Sequence, residues 1–331
     1  MRSEQINSIL WAFVAILAFT LSFPPSASSQ SYPVKPITIY CGYEAGGAVD
    51  MSTRALAQEA EKVLGVPVVV ENKPGGASTV AASLLAVKKP DGYTLGSIAG
   101  GALLMRPHLM KLPYNPLEDF TYVIEYSRIL GSLGVLSDSP FKTIDEFIVH
   151  AKNHPGLSYA SPGMYTQNHL SIEILAKCKG LKFKHVPFKG SAPAMTALMG
   201  KHTDFIATGG NIPYVRQGVL RILLNYNYEK RLPDFPTIPT LKELGCEDLP
   251  GMGIFILAPK GLPSTIWEKL SKTFKHAAET SSFKELLVKF DHPYEYYGYK
   301  DKKQMEQNIF PKYEWFRTFL KDVGVKKEDQ K

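Results

Sequence analysis

The 331-residue sequence predicts an α/β protein of two lobes, each a mostly parallel sheet flanked by helices, with a ligand cleft between them. Three observations carry this. Short β-branched runs alternate with amphipathic segments from Pro36 onward, which implies parallel strands covered by helices on both faces. The alternation starts afresh near Leu130, giving a second unit. Strand after strand ends in a glycine- or serine-rich loop that opens a helix, the place where open α/β sheets bind ligands.

Residues 1–29 precede the first unit and read as a secretory signal peptide: MRSEQINS is polar, ILWAFVAILAFTLSF is apolar, and PPSASSQ is a break followed by small residues. Cleavage is expected after Ser28 or Ser29. A retained anchor is the alternative, because the apolar run falls only slightly short of the roughly 17 residues that span a bilayer. ITIYCG then reads as a buried strand. A helix follows over Ala48 to Leu64, with Leu56, Ala60, Val63 and Leu64 on one face. VPVVVEN is a strand, and PGGASTVAASLLAVKK a glycine-led helix with Val80, Leu84 and Val87 on one face. YTLGSIA and FTYVIEY complete the first series.

In the second series TIDE, Thr143 to Glu146, is a capping box opening a helix that ends near Asn153. LSYAS, FKHVPF, DFIAT and LRILLNY are strands, separated by helices beginning near Tyr165, Ser191 and Asn211. Ser191 is expected to cap its helix, with proline in the first turn. GMGIFILAP is a further buried strand, followed by helices from Ser264, Ser281 and Lys300. Pro311 is expected to kink or restart the last of them. The chain is expected to cross between units at Leu130 to Leu136 and Gly251 to Ala258. Lobe 1 is then 30–130 plus 252–331, lobe 2 is 131–251, and the cleft between them can close by hinge bending.

The formal charge of +7 comes from scattered lysines, apart from the terminal KKEDQK. It suits steering of anionic small molecules rather than a nucleic-acid stripe. The three cysteines, Cys41, Cys178 and Cys246, form no CxxC pattern; no metal site or cofactor is legible, and no disulfide is expected. GxSxG, HExxH, GxxxxGK[ST] and a post-strand GxGxxG are all absent, which argues against the common hydrolase, zinc-protease and nucleotide chemistries. His169 and His185 lie near the loops of interest and read as packed residues. Five helix-opening loops recur instead: YEAGGAVD, PGGAST, SIAGGA, SPGMYTQN and FKGSAPA. Each exposes unpaired N–H groups and the positive end of a helix dipole, so together they make anion-friendly walls.

Several stretches carry a resemblance. PDGYTL, PHLMKLPYNPLEDF, NHPGLSYASPGMYTQNHLSIEIL, HVPFKGSAPAMTALMGKHTDF and RLPDFPTIPTLKELG, with YPVKPITI and the AGG…D of the first loop, resemble the receptors of tripartite tricarboxylate transporters, the Bug proteins. The likeness is collinear over the mature chain. It implies a type II-like periplasmic binding protein, monomeric and not an enzyme, that captures a small organic acid and delivers it to integral membrane permease subunits. It implies ligand contacts from Tyr43, Gly46, Gly47, Gly76, Ser78, Thr79 and Ser97 in one lobe. In the other it implies Ser161, Thr166, Gln167, Lys189, Gly190 and Ser191. The segment TDFIATGGNIP lacks the family's usual polar residue and offers Asn211 nearby. Departures also fall in the first loop, where Gly42 replaces a proline and Glu44 a small residue.

Glu44 has two readings: an ordinary loop charge in solvent, or a cleft residue selecting an amino group. Asp50 fits the first helical turn, with Arg54 one turn on. Tyr43, Tyr165 and Phe188 are either an apolar ligand wall or hinge packing. A sensory module signalling to a membrane kinase is the alternative function, with an exported α/β enzyme behind it.

Overall fold

The computed structural model describes residues 32–128, 130–226, 230–232, 234–289 and 302–322; the expected signal peptide and the YEYYGY segment lie outside them. The first lobe contains β1 (Ile37–Cys41), α1 (Ala48–Leu64), β2 (Val68–Asn72), α2 (Thr79–Ala86), β3 (Thr94–Ala99), α3 (Arg106–Leu109) and β4 (Phe120–Arg128). The second contains β5 (Gly131–Leu136), α4 (Ile144–Asn153), β6 (Leu157–Ser161), α5 (Gln167–Lys179), β7 (Phe183–Pro187), α6 (Ser191–Met199), β8 (Phe205–Thr208), α7 (Ile212–Arg216) and β9 (Leu220–Tyr226). The chain then returns through β10 (Gly253–Pro259) to α8 (Ser264–Glu279), α9 (Ser281–Lys289) and α10 (Lys302–Asp322).

Two five-stranded sheets result, ordered β2-β1-β3-β10-β4 and β7-β6-β8-β5-β9. Each is mixed. Three strands run parallel, as expected, but the fourth arrives from the other lobe and lies antiparallel to both neighbours. The segments expected as crossings are thus largely strand, β5 and β10, each inserted at the same place in its sheet. The chain passes between sheets just before β5 and again between β9 and β10. The order reverses between β1 and β3 in the first sheet and between β6 and β8 in the second, so the loops after these strands open onto a switch-point crevice, where ligands of α/β sheets sit.

Local rules explain most elements. The Thr143 capping box is present: its hydroxyl accepts from Glu146 N at 3.2 Å, and Glu146 Oε2 accepts from Thr143 N at 3.3 Å. Leu56, Ala60 and Leu64 of α1 are buried, whereas Val63 is 47% exposed. The apolar face expected for α2 also turns outward, with Val80 and Leu84 each 41% and Val87 80% exposed. Ala81, Ala82 and Leu85 face the sheet instead, Leu85 reaching into the room left by Gly96 of β3. Small residues bring this helix closer to the sheet than a valine-leucine face would. Pro311 sits inside α10 without dividing it. Ser191 is not a cap but the first residue of α6; Gly190 occupies the cap position, and Ser191 Oγ accepts from Thr208 Oγ1 at 2.7 Å.

One expectation is reversed. Cys178, at the end of α5, is disulfide-bonded to Cys246, with Cα atoms 5.8 Å apart. Lys179 Nζ donates to Leu244 O at 2.6 Å, and Leu241 N donates to Asn225 O at 2.8 Å, so the segment after β9 is docked beside the helix end. Cys41 remains a buried free thiol. Removing the bridge frees a sequence separation of 68 residues. Cys178→Ser should therefore lower unfolding free energy by about 2–4 kcal/mol in a denaturant titration. Dithiothreitol should have the same effect on the wild type and none on the variant.

A candidate ligand cleft between the lobes

The first loop is braced from beneath. Asp50, in the first turn of α1, is 1% exposed. Its carboxylate accepts from Gly46 N at 2.9 Å, from Asn72 Nδ2 at 2.7 Å and from Arg54 Nε at 3.0 Å. Asn72 also donates to Tyr43 O at 2.8 Å and accepts from Arg54 Nη2 at 2.8 Å, so both ends of the loop are tied to one network. Asp50 is thus more than a dipole partner. The second loop is left-handed at four successive residues, Gly75, Gly76, Ala77 and Ser78, with φ of 131°, 55°, 51° and 82°. Non-glycine residues hold such backbone only where the surroundings enforce it. Gly42 permits this: a Cβ there would collide with the Ser78 side chain, which accounts for the missing proline.

Two helices begin at this cleft without a side-chain cap, α1 at Gly47 and the nine-residue α6 at Gly190. They face one another across the lobes. A Cβ built on Gly47 would lie 3.5 Å from Ser191 N and 3.7 Å from Ala192 N. Between them is a cavity of about 30 Å³, lined by residues that include Tyr43, Gly47, Val49, Asn168, Ser191 and Gly209. It has room for about two waters. A space of about 170 Å³ adjoins it beside Gly46, Thr208 and Tyr214. Another of about 240 Å³ lies beside Gly76, Arg106, Pro162, Phe188 and Lys189. Backbone and side-chain contacts cross the cleft: Glu44 N donates to Lys189 O at 3.2 Å, Arg106 Nη2 to Met164 O at 2.6 Å, and Met252 N to Gln167 Oε1 at 3.1 Å.

The expected site residues divide into groups. Tyr43, Gly46, Gly47, Gly76, Lys189 and Ser191 line these spaces. Tyr43 is 6% exposed, and its hydroxyl has no hydrogen bond among the described residues; burial pushes its phenol well above the usual range. The others lie behind. Ser97 belongs to a buried hydroxyl triangle with Thr53 and Tyr126, at 2.8 and 2.9 Å. Ser78 accepts from Ala99 N at 3.4 Å, and Thr79 opens α2. Thr166 caps α5 through His169 N at 3.3 Å, and Asn211 donates to Ser132 Oγ at 2.7 Å. Gly190 packs against Glu44, a partly buried residue whose carboxylate makes no hydrogen bond or ion pair among the described residues and lines none of the three spaces. Asn168 and Arg106 are among the lining residues that sequence reasoning missed. Asn168 is held by Tyr226 OH at 2.9 Å. The sole early signal of Arg106 is one cation inside the otherwise apolar run ALLMRP.

Ser161 and the histidines form the floor of the SPGMYTQN loop. Ser161 Oγ lies 2.6 Å from His185 Nε2, His185 stacks on His169 with centroids 4.0 Å apart, and His169 Nδ1 accepts from Tyr165 N at 2.9 Å. That last bond requires an unprotonated Nδ1. Burial holds His169 down to about 3 and His185 down to about 4, so the 3.8 Å contact of His169 with Glu173 involves a neutral ring at pH 7. Both values lie below the unfolded 6.5, so the unfolded chain binds more protons in acid and stability falls as pH drops. The contribution is complete above pH ~6.5 and lost progressively towards pH ~3. Melting temperatures taken between pH 7 and 4 should decline for the wild type and decline less for His169→Gln; parallel profiles would refute a buried neutral pair.

The same architecture recurs among known proteins. The family model described as the tripartite tricarboxylate transporter family receptor, TctC, matches residues 52–323. A UPF0065 protein of the gbd 5′ region in Cupriavidus necator is 38% identical over 309 residues, covering 92% of this chain and 93% of that one. The periplasmic binding protein BugD superposes with a TM-score of 0.83 at 26% identity, covering 90% of this chain and 100% of BugD. MatC from Rhodopseudomonas palustris, solved with bound malate, superposes with a TM-score of 0.77 at 26% identity, over 87% of this chain and 100% of MatC. With two mixed sheets, glycine loops converging from both lobes and a family match across most of its length, the chain belongs to the tripartite tricarboxylate transporter receptor family.

Proposed function

We propose that this chain is an extracytoplasmic solute-binding receptor that holds a small organic acid between its lobes and passes it to integral membrane permease subunits. The observation that carries the reading is the pair of uncapped helix starts, Gly47 of α1 and Gly190 of α6, facing each other across a cavity. The first turn of α1 brings the N–H groups of Ala48, Val49 and Asp50 and that of α6 those of Ser191 and Ala192, each with the positive end of its helix dipole. An anion placed between them is favoured from both sides, so it draws the lobes together and stabilises the closed form by its differential affinity. The ligand carboxylate would meet the Gly47 and Ser191 backbone and the Tyr43 and Ser191 hydroxyls, all by hydrogen bonding and without covalent chemistry. MatC, a structural neighbour, holds malate, which supports an organic acid here. The signal-like residues 1–29 and the Cys178–Cys246 bridge suit an oxidising, exported compartment such as the periplasm.

Gly47→Asp tests the anion cradle cleanly. Gly47 has φ of −83° and ψ of 170°, the extended geometry of a capping residue, so aspartate would cap α1 and leave the fold intact or slightly stabilised. Its carboxylate would also occupy the ligand's place, where like charges ~4 Å apart repel by about 4 kcal/mol at an effective dielectric near 20. Malate and similar acids, titrated calorimetrically, should bind at least ~100-fold more weakly with an unchanged or higher melting temperature. Unaltered affinity would sink the assignment.

Glu44 we assign to solvent. Glu44→Ala should change binding of amino acids and simple dicarboxylates by similar, small factors. Selective loss of an amino-acid ligand would instead make it an amine-selecting residue.

A further inference from the structure

On the reading of the chain as an organic-acid receptor, we infer that Arg106 is a specificity residue: it sets a fixed positive charge at one end of the cleft and selects acids carrying a second anionic group. The central cavity, at about 30 Å³, holds little more than the first carboxylate. The rest of a ligand must extend into one of the two adjoining spaces. These differ in charge. The space beside Tyr214 is lined only by glycine, alanine, serine, threonine, methionine, proline, tyrosine and glutamine. The larger one, of about 240 Å³, carries Arg106 and Lys189 and no acidic residue. Tyr43 and Pro162 line both it and the central cavity, so the two spaces lie side by side against a common wall.

Arg106 differs from an ordinary surface cation. It is only 6% exposed and follows the π-turn at Gly101–Met105, directly after the β3 loop. Its guanidinium is held from the opposite lobe by Met164 O at 2.6 Å and lies 5.8 Å from the Tyr165 ring centre. It acts electrostatically on Tyr43, one of the two residues common to both spaces. Its Nη1 approaches Met110 Sδ at 3.5 Å and its Nη2 is taken by Met164 O, so the guanidinium acts on a ligand through its charge across the space it lines rather than as a bidentate fork. Lys189 is exposed and contributes a weaker, screened charge.

Because Arg106 also joins the lobes through Met164 O, the test must separate charge recognition from latching. Aliphatic dicarboxylates of four to eight carbons and the monocarboxylates of equal length are titrated calorimetrically into wild type, Arg106→Gln and Arg106→Lys. In the wild type at least one dicarboxylate should bind more tightly than its monocarboxylate partner. Arg106→Gln should erase that preference, weakening the dicarboxylate about 10- to 100-fold and the monocarboxylate by under about 3-fold. Arg106→Lys should restore part of it. Equal weakening of both acids would reduce Arg106 to a latch and overturn the inference alone, as would a wild type indifferent to the second charge. A wild type that binds none of these acids would overturn both the inference and the receptor reading. Cooperative melting of each variant, followed by circular dichroism, shows that an altered affinity is not a folding defect.

Discussion

Asp50 sits with 1% exposure beneath the loop that faces the cleft, and three donors hold it there: Gly46 N–H, Asn72 and Arg54. A buried carboxylate is tolerated only with such partners. Arg54 balances its charge, so the start of α1 keeps its positive dipole end. Asn72 closes the network by tying the end of β2 to Tyr43 O. The first loop is consequently stiff before any ligand arrives, and its Gly47 stays where it can approach Ser191 of the other lobe. Loosening this brace would cost the cleft its preorganisation.

That rigidity matters because the sheets themselves create the opposition. Each sheet accepts one strand from the far side of a crossing, β10 in the first and β5 in the second, both at the fourth position. The two connections hold the lobes side by side while leaving their switch-point loops facing. A common plan thus delivers corresponding loops to one gap, and the α1 and α6 starts meet there.

Recognition by neutral backbone has a physical advantage. Helix-end amides attract an anion without burying a full opposing charge, so desolvation stays modest and release on opening remains possible. Arg106 stands apart from this scheme as a cation embedded at the lobe boundary. Behind the contact layer, the Ser161–His185–His169 stack and the Thr53–Ser97–Tyr126 triangle satisfy polar groups that shape the loops from within. Several residues expected at the ligand occupy this supporting layer, because a small polar residue at a strand end suits either task equally.

The sequence by itself determined what depends on neighbours within a few positions. Strand and helix alternation, the Thr143 capping box, the restart near Leu130 and the glycine loops are all short-range signals, and the loops alone led to the expectation of an anion site. Tertiary structure decided the rest. The outward face of α2 followed from small residues and Gly96, not from its apolar stripe. Cys178 and Cys246, 68 residues apart, met only because the segment after β9 folds back onto α5. Whether Ser191 caps a helix or faces the cleft, and whether Arg106 stays in solvent or enters a wall, is set by how two distant lobes pack. No local pattern encodes that packing, since the contacts that enforce it join residues far apart in the chain.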